Sequence, residues 1–153
     1  MTAPTVKLDA GEQRSLEQQV GLREERQELL GGRAEYAESR AQLQGLDAKV
    51  RGLLEKMESV GEDAYASRIA SLRRAQPMIT HLLEAEQKIL DEYDKALTII
   101  EIEQESLSIS EAVDQGALEG LGRRLDTIRE AREQTDAAMH ELRAIDEVER
   151  LLG

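Results

Sequence analysis

The chain has 153 residues, 34% of them charged, a formal net charge of −12, no cysteine, and three tyrosines with neither Phe nor Trp. So little aromatic volume excludes a thick globular core, and the lack of cysteine excludes disulfides and thiolate chemistry. The acidic excess opposes phosphate backbones and anionic lipid surfaces, so neither nucleic acid nor membrane is expected as a partner.

No run approaches the ~18 apolar residues of a membrane span. The opening stretch MTAPTVKLDAGEQ has no apolar h-region, so a cytoplasmic location is expected. Residues 1–11 contain Pro4 and Gly11 and no period, and are expected to form a flexible tail. Residues 12–60 read as a helix of two qualities. In its second half Leu43, Leu46, Val50, Leu53, Met57 and Val60 keep a heptad a/d seam without polar interruption. Carried backwards, that frame puts Tyr36, Leu29 and Leu22 at a, but Ser39, Gly32 and Glu25 at d. A competing frame runs Leu30, Ala34, Ala37, Ala41. The two frames meet at Gly31–Gly32, where each glycine weakens a helix by roughly 1 kcal/mol relative to Ala, and a soft joint is expected there. Gly31, Gly45 and Gly52 share position c, interrupted by Glu38. Such a strip either admits another backbone closely or consists of tolerated glycines on a solvated face.

Gly61-Glu62-Asp63 reads as a tight turn, enforcing an antiparallel hairpin with the next helix, 64–107. The a/d seam of that helix runs unbroken through Ile69, Leu72, Gln76, Ile79, Leu83, Glu86, Leu90, Tyr93, Leu97, Ile100, Gln104 and Leu107. Leu82, Ile89 and Ala96 add a stripe at g, giving a face wide enough for two neighbours. Pro77 falls at b, facing solvent, and predicts a kink rather than a break. From Thr98 to Ser110 the pattern blurs, with Ile99, Ile102 and Ile109 off the seam. Ser110 with Glu111, or Asp114, can cap a third helix, 118–152. Its seam comprises Leu118, Leu121, Leu125, Ile128, Thr135, Met139, Leu142, Ile145, Val148 and Leu152, with Arg132 interrupting. An antiparallel return sets Arg123, Arg124, Arg129 and Arg132 beside the acids of 84–105, and Glu141, Asp146, Glu147 and Glu149 beside Arg68, Arg73 and Arg74. A parallel return would set like charge against like.

The expected fold is therefore all-α: an elongated antiparallel three-helix coiled-coil bundle, forming one unit over residues 12–153. Gln76, Glu86 and Gln104 are polar at seam positions; they either fix register at a cost in stability or reach water from the edge of the core. His81 and His140 fall at outward positions, and Asp136 with His140 makes at best a weak metal clip at i,i+4 spacing. There is no phosphate loop, no EF-hand loop and no convergent carboxylate pair. No catalytic residue, cofactor or metal is predicted.

The expected function is a non-enzymatic structural, scaffold or adaptor role, binding helices of a protein partner or a second copy. Leu22, Leu29, Leu30, Tyr36, Ile99, Ile102, Leu107 and Ile109 are the candidate partner surface. Two other readings are an acidic inhibitor that occupies a basic site, as DNA mimics do, and a membrane-associated helical protein. Steep loss of partner binding with salt marks the first, and flotation with vesicles marks the second.

Overall fold

The computed structural model describes residues 10–61, 63–110 and 113–153, and the side chains of 17–61, 63–109 and 113–153. Most of the expected tail, Glu62 of the turn and the Ser110–Glu111 cap lie outside this description. The fold is all-α: α1 (Ala10–Val60), α2 (Ala66–Ser110), α3 (Gln115–Arg143) and α4 (Asp146–Leu152) follow one another, with a 3₁₀ turn at Asp63–Tyr65 ahead of α2. Among the described residues there is no strand. With 51 residues in α1 and 45 in α2, these helices are about 77 and 68 Å long.

Gly61 reverses the chain in the left-handed region (φ 70°), where a side chain would be strained. Its N–H donates to the Glu58 carbonyl at 3.2 Å. Beyond the turn, contacts between α1 and α2 run in reverse chain order. Arg73 meets Glu58 (2.6 Å), Ser39 meets Glu86 (3.3 Å) and Arg33 meets Asp94 (2.5 Å). Helices α3 and α4 together return antiparallel to α2, with Arg124 of α3 on Glu92 (2.9 Å) and Glu147 of α4 on Arg68 (3.8 Å) near the Gly61 end. The orientation expected from charge is observed, though not every pair is. Arg73 turns to Glu58, and Arg129 is held by Asp126 one turn away. Exposed pairs of this kind contribute only ~0–1 kcal/mol each.

The second helix is central, packed along α1 on one side and α3 on the other, with α4 touching both α1 and α2. Its most buried line is the d row: Leu72, Ile79, Glu86, Tyr93, Ile100 and Leu107. The g row is buried beside it at Ala75, Leu82, Ile89, Ala96 and Glu103, whereas the a row is mostly half-buried. On a helical wheel d lies between a and g, so a helix with two neighbours buries d most deeply. Gln76 and Gln104 lie at the half-buried edge, and Glu86 lies inside.

The helices follow expectation in running on through Pro77 and depart from it at Gly31–Gly32 and beyond Leu142. No joint interrupts α1 at Gly31–Gly32. The frame through Leu22, Leu29 and Tyr36 wins, and Gly32 makes room for α2: a Cβ there would sit 2.5 Å from the Tyr93 hydroxyl oxygen and 2.9 Å from its Cζ. At Pro77 the helix runs on without a break, because the ring faces solvent and only the Arg73 carbonyl loses its partner.

The single helix expected over 118–152 is two. After Leu142 the apolar residues step three and three, to Ile145 and Val148. On one straight helix that would carry Val148 about 120° away from Leu142. The chain instead ends α3 at Arg143, passes Ile145 in extended geometry (φ −79°, ψ 115°) and restarts at Asp146. All three side chains thereby enter the core. Asp146, Glu147 and Glu149 then stand in the first turn of α4, where negative charge is favoured.

The α2–α3 connection is pinned from the core. Glu103, 2% exposed, accepts the Asp114 backbone N–H at 3.0 Å, and Asp114 Oδ1 caps α3 by accepting from the Ala117 N–H at 3.1 Å. Replacing Glu103 by Ala is expected to lower stability by about 1–2 kcal/mol in denaturant titration, because the part-buried Asp114 N–H loses its acceptor. Gly32→Ala is expected to destabilise by about 1–3 kcal/mol through overpacking against Tyr93. Gly31→Ala, which meets open space, is expected to stabilise by up to about 1 kcal/mol. Thermal melts of this pair give opposite signs if Gly32 is a contact and the same sign if it is merely a weak point.

Candidate functional site

The interior divides into two apolar clusters. One, toward the Gly61 turn, is built around Leu43, Val50, Leu72, Ile79, Leu142 and Val148. The other, at the far end, is built around Leu22, Leu29, Tyr93, Ile100, Leu121 and Ile128. Between them all three long helices contribute polar side chains at one level: Ser39 and Arg40 from α1, Glu86 from α2, and Thr135 and Asp136 from α3.

Glu86 is 0% exposed. The Ser39 hydroxyl donates to its Oε1 at 3.3 Å, a long bond, while Oε2 has no hydrogen-bond partner among the described residues, and neither has the buried Arg40 Nε. Burial pushes the Glu86 carboxyl above its ordinary range. The Ser39 hydrogen bond and the Arg40 charge act against that rise, and the Asp136 charge adds to it.

One turn further out, long side chains bridge from α1 to α3. The Tyr36 hydroxyl donates to Asp136 Oδ1 at 3.0 Å. Arg132 donates to the Tyr93 hydroxyl oxygen (3.0 Å) and to Glu35 (3.3 Å), with its guanidinium 5.0 Å from the centre of the Tyr36 ring. Burial, then the bond to Asp136, pushes the Tyr36 phenol up to about 12. The seam cation that seemed an interruption in the sequence is thus the hub of a polar bridge.

A groove of about 530 Å³ runs between α2 and α3. Its floor includes Leu82, Ala85, Ile89, Ile128 and Ala138, and its rim includes His81, Lys88 and Lys95. Small side chains on both helices leave this space. Glu86 is not among its lining residues.

The eight residues of the predicted partner surface separate in the structure. Leu22, Leu29, Tyr36 and Leu107 are buried in the chain's own core, so they are corrected from surface to interior. They fill the far cluster, which the first half of α1 completes by packing on the last turns of α2. Leu30 and Ile99 are half-buried. Ile102 and Ile109, seven residues apart on the outward side of α2, are exposed at 54% and 85%.

The outer face of α1 carries Gly31, Ala34, Ala41, Gly45, Ala48 and Gly52, nearly all exposed and broken only by Glu38 in an alternating three–four spacing. His81 and His140 are exposed, and among the described residues no group of three His, Cys, Asp or Glu is placed to hold a metal ion. Among the described residues no helix is long and apolar enough to cross a membrane. Comparison with protein families, curated proteins and solved structures finds no match.

The sequence singles out Glu86 but not Ser39, Arg40 or Asp136 as its neighbours, nor Glu103 as a second buried acid. The available signal was level: Ser39 and Glu86 stand at similar distances along the chain from the Gly61 turn. Glu86→Leu is expected to raise stability by about 1–3 kcal/mol at neutral pH, since a buried carboxyl with one weak hydrogen bond is replaced by an apolar side chain. A lower midpoint in urea would show instead that attraction to Arg40 outweighs the desolvation of the carboxylate.

Proposed function

We propose that this chain is a non-enzymatic helical adaptor or scaffold component, which binds helices of a protein partner or of a second copy along its outer faces. The observation that carries the reading is the outer face of α1. Over the 22 residues from Gly31 to Gly52, about 33 Å of helix, small side chains recur in seam spacing, broken only by Glu38, and point away from the core. A Cβ at Gly31, Gly45 or Gly52 would meet nothing within 4 Å. A smooth, straight face of this kind lets another helix approach to backbone contact, which large side chains would prevent. Ile102 and Ile109 supply a second apolar contact on another helix, so two partners can be held at different points of one rod. The raised carboxyl of Glu86 supports the same reading, since it lies inside the core rather than beside the α2–α3 groove.

Self-association is tested by sedimentation over a range of concentrations. The wild-type chain is expected to form dimers or larger species, and Gly45→Lys with Ala48→Lys to remain monomeric. That variant's melting should stay within about 0.5 kcal/mol of wild type, because both positions are exposed. Association that survives the double lysine variant and is lost in Ile102→Glu with Ile109→Glu would move the interface from α1 to α2. A chain that stays monomeric throughout would remove the second copy as the occupant.

A further inference from the structure

The Glu86 level separates two clusters of buried apolar side chains, which approach each other only along the groove flank of α2 and α3 at Leu82, Ala85 and Ile89. The charged and titratable groups facing the carboxyl are Arg40 from α1 and Asp136 from α3. Tyr36 and Arg132, a turn away, are committed to Asp136 and to Tyr93 with Glu35. Glu86 gets only the Ser39 hydroxyl, and its Oε2 is left without a partner in a place sealed from water. As a carboxylate it is poorly served there; as a neutral acid it fits.

The two sides of this level are unequal. The far side contains Gly21, Gly31 and Gly32 in α1 and Gly116, Gly120 and Gly122 in α3, against Gly45 and Gly52 on the near side. Glycine weakens a helix wherever packing stops holding it. The near side is also closed by the Gly61 turn and by α4.

We propose that the Glu86 level is a proton-operated latch, which keeps the two halves of the bundle one body while the carboxyl holds its proton and lets the far half open separately once the proton is lost. Closing takes a proton from water onto Glu86, and opening returns it. Burial raises the proton affinity of the closed form, so the closed form is fully favoured below the ordinary carboxylate range and loses that advantage as pH rises through the raised value. Opening the far half uncovers Leu22, Leu29, Tyr36 and Leu107, a stretch of apolar surface beside the already exposed Ile102 and Ile109. The latch is independent of whether the outer face of α1 binds a helix.

Hydrogen exchange of the full chain, read by peptide mass spectrometry and corrected for intrinsic rates, tests it. Between about pH 5 and pH 8 the opening constant for peptides covering Leu22–Tyr36 and Leu121–Ile128 is expected to rise severalfold, while that for Leu46–Met57 stays level. In Glu86→Gln, which has no proton to lose, the far half should show one opening constant across this range. Two variants that keep Glu86 should move its transition in opposite directions, Asp136→Asn to lower pH and Arg40→Met to higher pH. The latch is overturned if the pH dependence survives in Glu86→Gln, if both halves lose protection together, or if the last two variants shift the transition the same way or not at all.

Discussion

Burial of one row of side chains on α2 against two helices at once is the constraint on which the structure depends. With three tyrosines and no larger aromatic residue, the chain fills its interior with Leu, Ile, Val and Ala, and a bundle of such residues is only about one side chain thick. The d row therefore meets α1 and α3 together, with g and a closing its flanks. The remaining features follow from that geometry. Gly32 exists as a gap because Tyr93 occupies the row opposite it, α3 breaks before Ile145 to keep its own seam on the row, and Glu103 serves the α2–α3 connection from a buried g position.

A core this thin leaves no room to hide a polar residue by turning it aside. Where Glu86 enters the row, its neighbours on α1 and α3 become polar as well, and the apolar interior is split in two. The bridge of Tyr36, Asp136, Arg132, Tyr93 and Glu35 then does what apolar contact does elsewhere. It joins α1 to α3, which share little direct backbone packing. These bonds are at the bundle's edge, part-buried and directional, so they specify which level of α1 faces which level of α3 more than they add stability.

Much of this fold was legible in the sequence, for a physical reason. The seam of α2 never slips, and the Gly61 turn is too short for any but an antiparallel return, so the central hairpin and its ends could be read directly. What escaped the reading depends on distant contacts. A pair of glycines looks the same in sequence whether it loosens a helix or receives a tyrosine ring, and only Tyr93 decides between the two. The step from Leu142 to Ile145 to Val148 was visible but looked like a continuing seam, because three-residue steps also belong to one. Leu22, Leu29, Tyr36 and Leu107 seemed surplus apolar surface until α1 was seen to pack along the full length of α2. Glu86 could be recognised as anomalous, but its companions could not be named without matching levels on three helices.

The Gly61 turn has a kinetic consequence. Each level of the α1–α2 hairpin closes a longer loop than the level before it, so the entropic cost of pairing is smallest beside the turn and grows toward the far end. Loop-closure entropy alone therefore favours pairing of Met57 and Val50 with Leu72 over pairing of Leu22 with Leu107. During synthesis α1 has no apolar partner until the ribosome has delivered α2, and it emerges as a long amphipathic segment waiting for its match. The position of one left-handed residue, Gly61, thus sets which levels of the hairpin have the shortest loops to close.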